Sequence, residues 1–284
     1  PEQERAYEEL LARLQVEPLE VISEHEQETP RAHYLRFLRA DGFDVSAAER
    51  HLREHTAWWK AYGMDSFREE DEIDETGSFF VCGRDLHGQP TLIARPCTHV
   101  CRSRQESVRA ARRCIYTFQR CVERCPPGIQ KQSVIYDLRG LNPRLNLDLA
   151  FCREVIPPLA THFPERLDRV VVINSHWSTT PFWLAISKLL PAETKAKITF
   201  SGLDFSNQLL QLVSPDHPYL RHALAVQKLS GSEAATIPLP PRSPYVAGWR
   251  RKANADDGKL EDGDISRQTT AATEKDLQLP PASP

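Results

Sequence analysis

The stretch FPERLDRVVVINSHWSTTPFWLAISKLLPAETKAKITFSG, residues 163–202, decides how this chain is read. Val170-Val171-Val172-Ile173 shows no alternation of polar and apolar residues, the pattern of a parallel strand covered on both faces. A helix is predicted from Phe182 to Leu190, with Thr180 as its cap and Pro181 suited to its first turn. Phe182, Trp183, Leu184, Ile186, Leu189 and Leu190 crowd around Ser187 and Lys188. One face of such a helix can line a core while the other still offers hydrocarbon to something outside, and a membrane is the obvious candidate. A second strand is predicted over Lys197 to Phe200.

Outward from this unit, residues 76 to 231 alternate strand and helix, which predicts an α/β domain with a mainly parallel sheet covered by helices. Phe79 to Cys82 and Thr91 to Arg95 flank the hairpin-type turn Asp85-Leu86-His87-Gly88. Further strands are expected at 133–138 and 169–174, and helices at 105–123, 147–160 and near 205–213. Residues 1–75 read as a helical bundle: 2–16 and 31–39 are periodic, and Asp44 looks like an N-cap preceded by Phe43. Val45, Ala48, Leu52, His55, Trp59 and Tyr62 then recur at helical spacing until Gly63 stops the run. Residues 232–284, rich in Pro and small polar residues, are expected to be disordered.

Composition excludes several classes. A net charge of -3 and a pI near 6.4 argue against a surface built to grip nucleic acid. No run approaches the roughly 20 apolar residues needed to cross a bilayer, and no secretory leader is evident. Seven irregularly spaced cysteines favour reduced thiols in the cytosol, most of them acting as small buried hydrophobes. Cys97, His99 and Cys101 have ligand-type chemistry, but no second pair follows at ligand spacing, so no metal is expected. Between Arg102 and Arg124, Arg109, Arg113 and Arg120 fall opposite the apolar stripe Val108, Ala111, Ile115, Phe118 and Val122. That basic face suits anionic headgroups or simple solvation equally well. Asp137, His162, Ser175 and His176 lack any Gly-x-Ser-x-Gly frame, and no enzyme is expected.

An ordered set of motifs carries a resemblance. Tyr34-Leu35-Arg36-Phe37-Leu38-Arg39-Ala40 followed by Phe43-Asp44-Val45, then Trp58 or Trp59 through Tyr62-Gly63, resembles the helical module of the CRAL-TRIO lipid-binding family. Gly83-Arg84-Asp85 to Gln89-Pro90 is similar to its hairpin, and Tyr136-Asp137-Leu138-Arg139-Gly140 to its D-L-x-G strand end. Phe163-Pro164-Glu165-Arg166-Leu167 through Ile173-Asn174-Ser175 is similar to Y-P-E-R-L followed by I-I-N-A.

The resemblance implies a hydrophobic lipid pocket closed by a gate helix, here the apolar 181–190 segment. Phe151, Val155, Ile156 and Phe163 are plausible cavity contributors. In phosphatidylinositol-binding members a Glu, a Thr and a Lys frame the headgroup, and the matching positions are Glu165, Thr194 and Lys197. A carboxylate can accept from ring hydroxyls, while an ammonium and a hydroxyl bond the phosphodiester. Equally, Glu165 and Lys197 could form an ion pair at the mouth of the fold. The family's Arg-Lys pair is replaced by Asp41-Gly42, removing two cations. Leu159, Gln132 and Val134 stand where choline-lipid binders differ, so phosphatidylcholine is not expected. The family's C-terminal L-P-x-x-Y-G-G gives way to Ser214-Pro215-Asp216-His217-Pro218-Tyr219.

The expected function is transfer of phosphatidylinositol or a similar phospholipid by a monomeric cytoplasmic protein that associates transiently with membranes. Its partners are membrane phospholipids, its ligand a bound phospholipid, and no cofactor is expected. A carrier of a retinoid- or tocopherol-type ligand and a protein-interaction or GTPase-regulator scaffold remain open readings.

Overall fold

The computed structural model describes residues 2–20, 28–67, 76–229 and 231–242. Three helices open the chain: α1 Glu2–Val16, α2 Pro30–Ala40 and α3 Val45–Tyr62. Thr29 caps α2 through the amide of Ala32, and Asp44 caps α3 through that of Ala47, as its position before the periodic run predicts. Gly63 stops α3 in the left-handed conformation, with φ of 72°. Leu10, Phe37, Leu38, Ala48 and Leu52 close a core of their own between these helices. Trp58 of α3 then stacks on His162, with ring centroids 4.1 Å apart, and ties the bundle to the α/β region.

That region holds a five-stranded sheet in the order β1-β2-β3-β4-β5: Phe79–Arg84, Pro90–Ala94, Gln132–Asp137, Leu167–Ile173 and Ile198–Phe200. The hairpin β1/β2 is antiparallel and every later pair is parallel, as alternation of strands and helices predicts. Among the described residues, the remaining α-helices are α4 Arg104–Glu123, α5 Pro143–Asn146, α6 Leu149–His162, α7 Thr180–Ile186, α8 Ala192–Ala196, α9 Ser206–Leu210, α10 Pro218–Gln227 and α11 Gly231–Thr236. Helix α6 runs through Pro157 and Pro158. Its residues Arg153 and Glu154, whose carbonyls lose helical donors there, lie toward solvent.

The period-2 geometry of the strands sorts side chains into two layers. Phe80, Cys82, Ile93, Ile135, Val171 and Ile173 face α9 and α10, where Phe205, Leu209, Tyr219 and Leu220 cover them. Phe79, Val81, Leu92, Ala94 and Val134 face α4 and α6 instead. Helix α10 has no counterpart in the sequence-based expectations. Pro218 occupies its first turn, where the missing amide costs nothing.

His217 fixes the start of α10. Its Nδ1 accepts from the amide of Tyr219 at 3.2 Å and its Nε2 donates to the Thr91 hydroxyl at 2.9 Å. Burial lowers its pKa, in keeping with this neutral tautomer. The imidazole lies where a Cβ on Gly83 would stand, and Gly83 itself has φ of +70°. Gly83→Ala therefore meets both a left-handed penalty of about 1–2 kcal/mol and an overpacking cost of about 1–3 kcal/mol. We expect urea unfolding to show a combined loss of about 2–5 kcal/mol; an unchanged midpoint would contradict this packing.

Several expectations change in detail. The helix expected over 182–190 is shorter, because Ser187 to Leu190 turn away before Pro191. Thr180 is its first residue rather than its cap; Thr179 holds the cap position without a side-chain bond to the helix. The basic face of α4 is not continuous, since Arg120 is buried and paired with Glu123 at 2.7 Å. The tail expected from 232 begins inside α11, and Leu239 packs against the Phe80 layer. Residues 243–284 of that tail lie outside the described residues, as does the end of the helical module at 68–75.

Candidate functional site

Between the Phe79–Val134 face of the sheet and α6 lies a cavity of about 430 Å³. Its floor is Leu92, Ala94, Val134, Tyr136 and Val170; its roof is Phe151, Cys152, Val155, Ile156 and Leu159. The unbroken apolar run of β4 is now explained. Val171 and Ile173 pack on helices, while Val170 faces the empty space. Among the apolar walls, burial pushes the Cys152 thiol up to about 12 and the Tyr136 phenol upward as well. Phe151, Val155, Ile156 and Phe163, the expected contributors, all line it.

The polar part of the wall comes from the amino ends of the parallel strands. Val170 of β4 pairs with Ile198 of β5, so the residues preceding both strands gather at one edge of the sheet. Glu165 precedes β4, and Thr194 and Lys197 precede β5; all three line the cavity, together with Glu193 and His51. Glu165 and Lys197 do not pair with each other as one sequence reading allowed. Lys197 Nζ lies 2.6 Å from Glu193, and Glu165 lies 3.6 Å from Lys131 Nζ. Both pairs are partly exposed and worth at most about 1 kcal/mol, so a ligand can displace them cheaply.

Glu165 is held in an unusual backbone conformation, with φ of 60°. A non-glycine residue there stores roughly 1–3 kcal/mol and persists only where neighbours over-determine it. Arg36 Nη1 donates to the preceding carbonyl of Pro164 at 3.0 Å, and the following residue, Arg166, is locked to Glu28 at 2.6 Å. Arg36, Glu28 and Arg166 are almost wholly buried. None of the three was a sequence-based site candidate, since the local sequence of an arginine or glutamate carries no sign of burial, whether in a helix like Arg36 or outside one like Glu28 and Arg166.

His51 was missed for the same reason. Its Nδ1 faces Asp41 at 2.9 Å and its Nε2 faces the Thr161 carbonyl at 2.6 Å. These two contacts hold the ring between α3 and the end of α6. Asp41 is thereby engaged by His51.

The gate candidates divide. Phe182 and Trp183 line a second, smaller cavity of about 130 Å³, which shares Phe79, Tyr136, Phe151, Cys152, Val170 and Ile198 with the larger one. Ile186 packs with Phe182 against the core under α6, and Leu190 lines the large cavity. Leu184 and Leu189 point to solvent, and Leu184 is 59% exposed. Trp177, just before α7, is 79% exposed. No residue of α7 is fully buried. Among the described residues no helix is long and apolar enough to cross a membrane.

The groups considered for hydrolysis are each engaged elsewhere. Asp137 accepts from Tyr219 and Asn174, Ser175 donates to the Ser201 carbonyl, His176 caps the turn at Ser178, and His162 stacks on Trp58.

Comparisons place this geometry among known proteins. The family model described as CRAL/TRIO domain matches residues 74–218, and that for the CRAL/TRIO N-terminal domain matches residues 6–54. A CRAL-TRIO domain-containing protein of Schizosaccharomyces pombe is 28% identical over 214 residues, covering 70% of this chain and 21% of its own length. The phosphatidylinositol transfer protein PDR17 of Saccharomyces cerevisiae is 26% identical over 184 residues, covering 60% and 52% respectively. This chain thus spans between about a fifth and about a half of these curated relatives. The crystal structure of Sfh5 superposes with a TM-score of 0.61 at 12% identity, over 80% of this chain and 96% of that one, which establishes likeness of fold.

Proposed function

This chain belongs to the CRAL/TRIO domain family, and from that premise we propose that it binds and transfers phosphatidylinositol or a similar acidic phospholipid between membranes. The observation that carries this reading is the convergence of Glu165, Thr194 and Lys197 on the wall of one apolar cavity. The headgroup would sit at the amino ends of β4 and β5, with its phosphodiester toward Lys197 and Thr194 and its ring hydroxyls toward Glu165. The acyl chains would lie between the sheet and α6.

The energetics favour exchange at a surface over release into water. Each CH₂ exposed costs about 0.8 kcal/mol, so two acyl chains do not leave for solvent, whereas passage from bilayer to an apolar cavity is nearly neutral. Helix α7 supplies the route. Its inner residues Phe182 and Ile186 are shallowly packed, and its outer neighbours Trp177 and Leu184 are exposed hydrocarbon that a bilayer interface would cover. No covalent step is needed, and we place the protein in the cytosol as a monomer.

Mass spectrometry of lipids that co-purify with the protein tests the ligand class, and a retinoid- or tocopherol-sized mass would favour the small-ligand reading. Transfer assays with Glu165→Ala and Lys197→Ala test the headgroup assignment. A hydrogen bond to a charged group contributes about 1.5–3 kcal/mol, which corresponds to a roughly ten- to hundredfold loss of inositol-lipid exchange. Unchanged exchange in folded variants would reject the assignment.

A further inference from the structure

Beside the smaller cavity, His99 and Cys101 of one loop converge with Asp148, which lies next to the start of α6. His99 Nε2 lies 3.3 Å from Asp148 Oδ2 and 3.5 Å from Cys101 Sγ, and the three donor atoms all fall within 4.8 Å of one another. We propose that His99, Cys101 and Asp148 form a metal site of open, three-ligand type that takes a borderline divalent ion, Zn²⁺ above all.

The distances fit the chemistry. Zn²⁺ holds sulfur at about 2.3 Å and nitrogen or oxygen at about 2.0–2.2 Å in a tetrahedron, so its ligand atoms stand roughly 3.3–3.7 Å apart. Two of the three separations already have that value. A mixed nitrogen, thiolate and carboxylate set suits Zn²⁺ better than Mg²⁺ or Ca²⁺, which favour oxygen alone. On binding, the Cys101 thiol gives its proton to solvent and the thiolate takes the metal.

The ligands are supported from behind, as working metal sites require. Ser107 donates to Asp148 Oδ2 at 2.6 Å. The other oxygen of Asp148 is held by the amide of Phe151 at 2.9 Å, at the start of α6. Asn146 Nδ2 bonds the carbonyls of both Cys97 and His99, pinning the loop that carries the ring. Phe151 packs against the His99 imidazole, with centroids 4.6 Å apart. A separate polar pocket of about 230 Å³, lined by His99, Cys101, Glu106 and Arg113, provides an entry path and room for a water in the fourth position.

The experiment is a Co²⁺ titration of the full chain after treatment with a chelator and its removal. We expect saturation at one equivalent, with a thiolate-to-cobalt charge-transfer band and tetrahedral visible absorption that Zn²⁺ displaces. Cys101→Ser should abolish the charge-transfer band, while Cys97→Ser should leave it intact. Asp148→Asn keeps an effective helix cap while removing the carboxylate, and should weaken binding at least tenfold. Zn²⁺ should raise the melting temperature of the wild type and not of Cys101→Ser. Absence of a saturable band in the folded wild type, or a band that survives Cys101→Ser, would overturn the site.

Discussion

Glu28→Ala is expected to destabilise the protein by about 3–5 kcal/mol, the characteristic cost of stripping one partner from a buried ion cluster. Glu28 Oε1 lies 3.1 Å from Arg36 Nε, Oε2 lies 2.6 Å from Arg166 Nη2, and His33 Nδ1 lies 3.5 Å from Oε2. Without the carboxylate, two buried guanidinium groups lose the counter-charge that Glu28 supplies. The cluster joins α2 to the start of β4, so its loss would also loosen Glu165. Urea unfolding of the variant, read together with transfer activity, checks both effects; a loss below about 1 kcal/mol would show that the cluster contributes little.

The same carboxylate gives a pH signature. Burial by itself would raise its pKa, but the hydrogen bond with His33 and the charges of Arg36 and Arg166 outweigh burial and hold it far below the ordinary carboxylate range. A folded pKa below the unfolded one means that the stabilisation is complete above the unfolded value of about 4.3 and declines as pH falls beneath it toward the folded value. Wild-type stability should therefore drop between about pH 4 and lower values, and this part of the slope should be missing in Glu28→Ala.

Ala94→Trp is expected to abolish lipid extraction while leaving the fold intact. Ala94 is buried at the end of the interior strand β2 and lines the cavity floor, so an indole there would extend into the space assigned to acyl chains. Tryptophan is well tolerated in strands, and filling empty space avoids the overpacking cost of about 1–3 kcal/mol that a solid core would impose. Co-purified lipid should vanish and the unfolding midpoint should hold or rise. Retention of stoichiometric lipid would remove the cavity from the transfer mechanism, and a large loss of stability would mean that the space is already filled.

Much of the architecture was legible from local chemistry. Asp44 and Gly63 bracket α3 because a carboxylate cap and a left-handed glycine act within a few residues of where they stand. The hairpin around Asp85 and the unbroken apolar run of β4 were equally local signals. Helix α10 was hidden because proline reads first as a breaker, and the end of α7 because an apolar run continues past the last helical bond. Among site residues, the resemblance led to Glu165, Thr194 and Lys197, which the fold gathers on one cavity wall. His51, Glu28, Arg36 and Arg166 were not singled out as site residues because a titratable side chain looks the same in sequence whether it faces water or a buried counter-charge.

Periodicity, caps and motif order were thus sufficient, from the chain alone, for most of the elements, their parallel arrangement and the family. Those properties depend on backbone and neighbour interactions spanning a few residues. Which face of β4 meets helices and which meets a cavity, that Asp148 reaches His99 and Cys101, and that Glu28 bridges two buried arginines were decided only by the tertiary structure. Each depends on groups far apart in sequence whose meeting is set by packing, and burial changes what a charge or a thiol can do only once the surrounding elements have excluded water.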